Sequence, residues 1–194
     1  QIIFLMKAVE YPKLLASAIA VLKRQGVISY PTEGVWGLGC DPMSEVAVRK
    51  VLRLKNRSIS KGLILIGSSH RQFARLLEDL DDRSKRRFIE KRSKPTTWLV
   101  PSNGTIPPWI TGNHDSVAVR ITKHPVAKGL CEVFGRPIVS TSCNPQGAPP
   151  ATSQSQVQEY FGDKLDYFVM GEVERMGSVS DIIDLKTNKV IRLG

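Results

Sequence analysis

A single mixed α/β domain is the fold the sequence predicts, on three observations. Stretches with helical apolar spacing alternate with apolar runs too short to be helices. A chain of 194 residues supports one core that buries roughly 70% of the unfolded surface, and a second full domain would be cramped. Hydrophobic content of 41% and charged content of 24% are those of a globular chain, and no apolar run approaches the roughly 20 residues that cross a bilayer. One domain over residues 1–194, with no membrane partner, is therefore expected.

The opening Gln1 to Met6 reads as a strand, since it lacks the basic start and cleavage site of a signal peptide. Pro12 opens an amphipathic helix carrying Leu14, Leu15, Ala18, Ile19 and Leu22, and Gly26 closes it. Val27 to Tyr30 follows as a buried strand, and alternation places Ile28, Tyr30 and Thr32 on one face if the chain stays extended through Pro31. Ser44 caps a helix with an apolar stripe of Val46, Val48, Val51 and Leu52 that delivers the chain to Lys55. Leu63 to Ile66 is a short strand, and Ser69 caps a helix carrying Phe73, Leu76 and Leu77.

Arg83 to Lys94 reads as a solvated basic helix with Phe88 and Ile89 turned inward, followed by a strand from Thr97 to Val100. Ser102 to Gly112 is loop, and Ser116 to Ile121 is a strand with Val117, Val119 and Ile121 facing the core. Pro125 opens a helix that Gly135 ends, and Ile138 to Ser142 is a strand whose end carries Ser140, Ser142 and Asn144 in alternation. After a loop from Pro145 to Ser153 comes a short helix through Val157 and Phe161, then a β-hairpin from Ile182–Leu185 and Val190–Leu193.

The net charge of +10 points to polyanionic partners, nucleotide or nucleic acid. Cys40, Cys131 and Cys143 are odd in number and have neither zinc-ligand nor disulfide-framework spacing, which fits a reducing cytoplasm. Gly34, Gly37 and Gly39 are spaced G-x-x-G-x-G, the wrong order for a dinucleotide fingerprint, and read as permitting close backbone approach. There is no Walker A loop. Lys55, Arg57 and Lys61 offer another way to hold phosphate, against the plainer reading of a solvated loop. No histidine stands near a nucleophile elbow, so a Ser-His-Asp triad is not expected.

Together these motifs resemble the YrdC/TsaC family of single-domain threonylcarbamoyl-AMP synthases. The matching residues are Tyr30-Pro-Thr-Glu, Gly37-Leu-Gly-Cys-Asp-Pro42, Lys55-x-Arg57 with Lys61-Gly-Leu-Ile-Leu-Ile66, Ser116-Val-Ala-Val-Arg120, Ser140-Thr-Ser-Cys-Asn144 and Val190-Ile-Arg192. The resemblance implies a twisted mixed sheet with flanking helices around a basic concave cavity. It also implies synthesis of threonylcarbamoyl-adenylate from L-threonine, bicarbonate and ATP, with Mg²⁺ accompanying the ATP and pyrophosphate released. By the same resemblance, Tyr30, Thr32, Arg120, Ser140 and Ser180 form the threonine side. Lys55, Arg57, Lys61, Ser116, Ser142, Asn144 and Arg192 form the nucleotide side, with no residue assigned as acid or base and none as a metal ligand. The product would feed threonylcarbamoyl-transfer proteins that modify the adenosine beside the tRNA anticodon.

Two substitutions depart from the family pattern. Lys94 begins a Lys94-Pro-Thr-Thr97 segment where a Gly-Pro-x-Thr is usual, and Cys143 stands where alanine is usual. The competing expectation is a non-catalytic RNA-binding protein acting in rRNA or tRNA maturation. It needs a broad basic stripe through Arg83 to Lys94, whereas the enzyme needs its cations to face Ser142 and Asn144 across a small pocket.

Overall fold

Nine strands run side by side in the order β7-β1-β2-β6-β3-β5-β4-β8-β9 in a computed structural model that describes residues 15–194. The strand expected at Gln1 to Met6 and the helix start at Pro12 lie outside the described residues. Helix α1 (15–23) buries Leu15, Ala18, Ile19 and Leu22. It leads to β1 (Ile28–Pro31), which pairs antiparallel with β2 (Trp36–Gly39) and parallel with β7 (Tyr167–Phe168). β7 was not anticipated from the sequence: it is two residues long, too short for a periodic pattern.

Helix α2 (Glu45–Lys55) is capped as expected, the Ser44 hydroxyl accepting from the Ala47 N–H. Its buried stripe is Ala47, Val48, Val51, Leu52 and Lys55, while Val46 is 62% exposed. Val48, Val51 and Leu52 are thus buried as expected, and Ala47 takes the place expected of Val46. β3 (Ile64–Gly67) lies between β5 (Ser116–Ile121), parallel, and β6 (Ile138–Ser142), antiparallel. Ser69 makes no side-chain cap, because the chain enters a 3₁₀ turn, His70–Phe73, before α3 (Ala74–Leu77).

Helix α4 (Asp82–Ile89) stops well short of Lys94; Phe88 is buried as expected, but Ile89 is 52% exposed. β4 (Thr96–Pro101) follows, and the expected loop after it contains a single helical turn, α5 (Pro108–Thr111), started by Pro108. Helix α6 (Pro125–Phe134) ends at Gly135, whose positive φ of 79° suits a glycine. Helix α7 (Gln154–Phe161) precedes β7, and the chain ends in the hairpin of β8 (Asp181–Asp184) and β9 (Val190–Arg192).

Consecutive strand residues enter different apolar clusters: Leu65 and Val139 join one, Ile66 and Ile138 the other. Since neighbours along a strand point to opposite faces, the sheet is covered on both sides. Helices α1 and α6 cover one face and α2, α3 and α4 the other. What stays open is the end where the β1–β2 turn, β6 and the segment before β8 meet.

Candidate active site

A cavity of about 280 Å³ opens there, lined by Thr32 to Gly37, Arg57, Leu63, Ile64, Pro95, Arg120, Ser140 to Ser142, Pro150, Ser178 to Ser180 and Arg192. A second cavity of about 270 Å³ adjoins it, sharing Glu33, Pro95 and Ser178.

Arg120 stands on β5 between the buried Val119 and the partly covered Ile121, so its side chain faces away from Val117 and Val119 and into the cavity. Its guanidinium lies 3.6 Å from the Glu33 carboxylate, and both side chains are nearly buried. Burial alone would raise the Glu33 carboxyl, but Arg120, the Lys123 N–H and the Thr122 hydroxyl outweigh it and hold the group below the usual carboxylate range. Sequence reasoning quoted Glu33 inside a motif and gave it no role, since a glutamate in a turn carries no pattern of its own.

Thr32 lines the cavity from the β1–β2 turn, its hydroxyl donating to the Val35 carbonyl at 2.7 Å. Ser140 lies at the cavity wall on β6, and Ser180 shares a hydrogen bond of 2.8 Å with Thr97. On the other side, Arg57 donates to the Gly62 carbonyl at 3.1 Å, and burial lowers its pKa from the ordinary guanidinium value. Arg192 reaches in from β9 and donates to the Ser180 carbonyl at 3.0 Å.

Five expected site residues do not line this cavity. Tyr30 is fully buried, its ring lying over Gly37 and Gly39 and its hydroxyl donating to the Val139 carbonyl at 3.1 Å. It packs with α1 and α6 beneath the cavity, and Thr32 shares its face as expected, since a Cβ at Gly37 would meet the Tyr30 ring at 3.3 Å and the Thr32 methyl at 3.4 Å. The close approach expected of these glycines is made by a side chain as well as by backbone: a Cβ at Gly39 would sit 2.6 Å from the Tyr30 ring and 2.7 Å from the Val139 carbonyl oxygen. Lys61 is exposed at the end of a 3₁₀ turn outside the cavity. Ser116 lies at the far start of β5, opposite Pro101, also outside it.

The remaining two are Asn144 and Lys55. The Lys55 ammonium lies behind the cavity wall, donating to the Ser142 carbonyl, to the Asn144 carbonyl at 2.8 Å and to Asn144 Oδ1 at 3.1 Å. Asn144 turns its amide to the Ala148 carbonyl at 2.7 Å, so it ties down the loop after β6 and does not line the cavity. The cation cluster and the β6 end thus do meet, through Lys55, but as a braced wall. Lys94 is exposed on the rim of the second cavity, and Cys143 packs fully buried in the core.

A basic cavity in a mixed sheet is what the family resemblance implied. The Sua5/YciO/YrdC family model, described as telomere recombination, matches residues 20–194. The chain belongs to the Sua5/YciO/YrdC family. Relatives include the threonylcarbamoyl-AMP synthase of Cellvibrio japonicus, 49% identical over 90% of this chain and 93% of that one. The synthase of Stutzerimonas stutzeri is 49% identical over 89% of this chain and 92% of that one.

Among solved family members, Pyrococcus abyssi Sua5 complexed with L-threonine superposes with a TM-score of 0.81 at 31% identity, over 89% of this chain. This chain spans half the length of that Sua5. Escherichia coli YciO, at 20% identity and a TM-score of 0.79 over 94% of this chain and 89% of its own, shares the fold.

Proposed function

We propose that this chain joins L-threonine, bicarbonate and ATP into threonylcarbamoyl-adenylate, releasing pyrophosphate, in service of tRNA modification. The observation that carries this reading is near-half identity, over nine-tenths of both chains, to threonylcarbamoyl-AMP synthases. The cavity's geometry fits. Arg120 supplies a guanidinium whose fork matches an amino-acid carboxylate, and the hydroxyls of Thr32, Ser140 and Ser180 stand around it. Arg57 and Arg192 line the same cavity and are suited to phosphate oxygens, while Ser142 closes the wall that Lys55 braces.

In this arrangement the threonine nitrogen forms a bond to the carbon of bicarbonate with loss of water. A carbamate oxygen then bonds to the α-phosphorus as the bond to the bridging oxygen breaks. The protein's task is to align the reactants and neutralise the departing pyrophosphate, which needs no acid-base pair of its own. Mg²⁺ would enter with ATP as the substrate complex, held by phosphate oxygens and water. The adenylate then passes to threonylcarbamoyl-transfer proteins acting beside the tRNA anticodon.

The relatives do not support the RNA-binding alternative, and part of its basic stripe is engaged within the chain, while Arg83, Arg86, Lys91 and Lys94 stay exposed. Arg87 donates to the Leu185 and Lys186 carbonyls, Lys85 to the Glu78 carbonyl, and Arg92 packs over the Trp98 ring. No helix among the described residues is long and apolar enough to cross a membrane. The three cysteines are free and buried, which supports a cytoplasmic setting. Pyrophosphate release from ATP tests the reaction: it is expected to require both threonine and bicarbonate, and release indifferent to either overturns it.

A further inference from the structure

Glu33 is the best-connected polar side chain at the cavity, and the reaction as written leaves it without a task. Its Oε1 accepts from the Thr122 hydroxyl at 2.8 Å and from the Lys123 N–H at 2.9 Å, both just past Arg120 on the exit of β5. Its carbonyl accepts from the Arg175 N–H at 2.8 Å, in the segment that carries Ser178 to Ser180 over the cavity. One residue therefore links the β1–β2 turn, the strand bearing Arg120 and the covering segment.

Two polar atoms are left over. Glu33 Oε2 and Arg120 Nε are buried without hydrogen-bond partners, and the closest approach of the two groups is 3.6 Å. That distance is an ion pair and too long for a hydrogen bond. The carboxylate thus fixes where the guanidinium points without consuming its donors, which remain for a ligand. A carboxylate-bearing ligand seated on Arg120 supplies the acceptor that the guanidinium lacks, whereas Glu33 Oε2, itself an acceptor, is left to its ion pair with Arg120.

We propose that Glu33 is a positioning residue that holds Arg120 in the orientation to receive the carboxylate of an α-amino acid substrate. This rests on the threonine-dependent reaction above. Glu33 acts through Arg120 and does not touch the nucleotide. Its held-down carboxyl keeps it charged throughout the neutral range, so the restraint is constant at working pH. Because Gln retains an oxygen for Thr122 and Lys123, Glu33→Gln removes the charge while keeping those hydrogen bonds.

The test compares Glu33→Gln with Thr122→Val, which frees the carboxylate from one anchor without removing its charge. Threonine affinity is read by calorimetry without ATP, and apparent KM values are read for threonine and ATP separately. Glu33→Gln is expected to weaken threonine about tenfold by both measures and to shift ATP KM less than twofold. Thr122→Val is expected to weaken threonine about two- to fivefold in the same selective way, and it carries the test alone if Glu33→Gln does not fold. Unchanged threonine affinity, or equal losses for threonine and ATP, overturns the role of Glu33. Wild-type protein that binds threonine but releases no pyrophosphate would instead overturn the reaction and leave the positioning role supported.

Discussion

At Lys55 a buried ammonium faces the carbonyls of Ser142 and Asn144 and the Asn144 amide oxygen, with the Ser142 hydroxyl at 3.5 Å. Lys55→Met would leave those acceptors without a donor, at about 1–3 kcal/mol for a buried orphan. A lowered melting temperature and an ATP KM raised about tenfold are expected, with threonine binding changed less than twofold; an unchanged ATP KM would reduce Lys55 to a purely structural brace. Burial, with Arg57 adding to it, pushes the ammonium down to about 8. Above that pH an amine with two N–H groups serves four oxygens, so ATP KM is expected to climb between about pH 7 and 9. Stability moves the other way. The folded group binds fewer protons than the unfolded one between about 8 and the ordinary 10.5, so its contribution to unfolding free energy rises with pH there. Opposite pH trends in the two measurements separate the site effect from a global one. At this scale the sequence was legible wherever chemistry followed strand parity, as for Arg120 and Ser140. Parity also put Tyr30 and Thr32 on one face, but it does not say how deep each lies, and Tyr30 is fully buried beneath the cavity.

The segment from Glu172 to Ser180 covers the cavity with almost no regular structure, and it is held by backbone. Arg175 N–H donates to the Glu33 carbonyl at 2.8 Å and Gly177 N–H to the Gly34 carbonyl at 2.9 Å. Gly34 is where it rests: a Cβ there would lie 1.7 Å from the Ser178 carbonyl oxygen. No rotamer relieves a clash between Cβ and backbone, so Gly34→Ala must lift the segment and with it Ser180. Threonine KM is expected to rise at least tenfold and the segment to be cut faster by protease, while the sheet keeps its far-ultraviolet dichroism; equal cleavage rates would mean that the covering contact is dispensable. The sequence offered only that Gly34 permits a close backbone approach, not which segment makes it. The segment has no apolar period, and Gly34 looked like part of a glycine run. By contrast, β5, α6, β6 and the final hairpin were legible, since period and punctuation agree with the tertiary packing there.

Strand order decides what the whole molecule can do, and it is the property least visible in the sequence. Arg57 follows α2, and Arg192 closes β9 at the sheet's edge, yet both line one cavity. Short motifs locate residues on elements, whereas convergence needs the crossovers that lay β6 beside both β2 and β3. The same topology gives the net charge of +10 a direction. Scattered surface cations would attract any polyanion weakly, while two guanidinium groups in one cavity concentrate the field where ATP must sit. Raising salt from about 0.01 M to about 0.15 M shortens the Debye length from about 30 Å to about 8 Å, and ATP KM is expected to rise over that range. Threonine KM should move less, since Arg120 and Glu33 are nearly buried and paired with each other. The double variant Arg57→Ala with Arg192→Ala is expected to lose most of the ATP salt dependence while keeping its fold. If its dependence matches that of the wild type, the general surface charge captures ATP and the cavity cations do not.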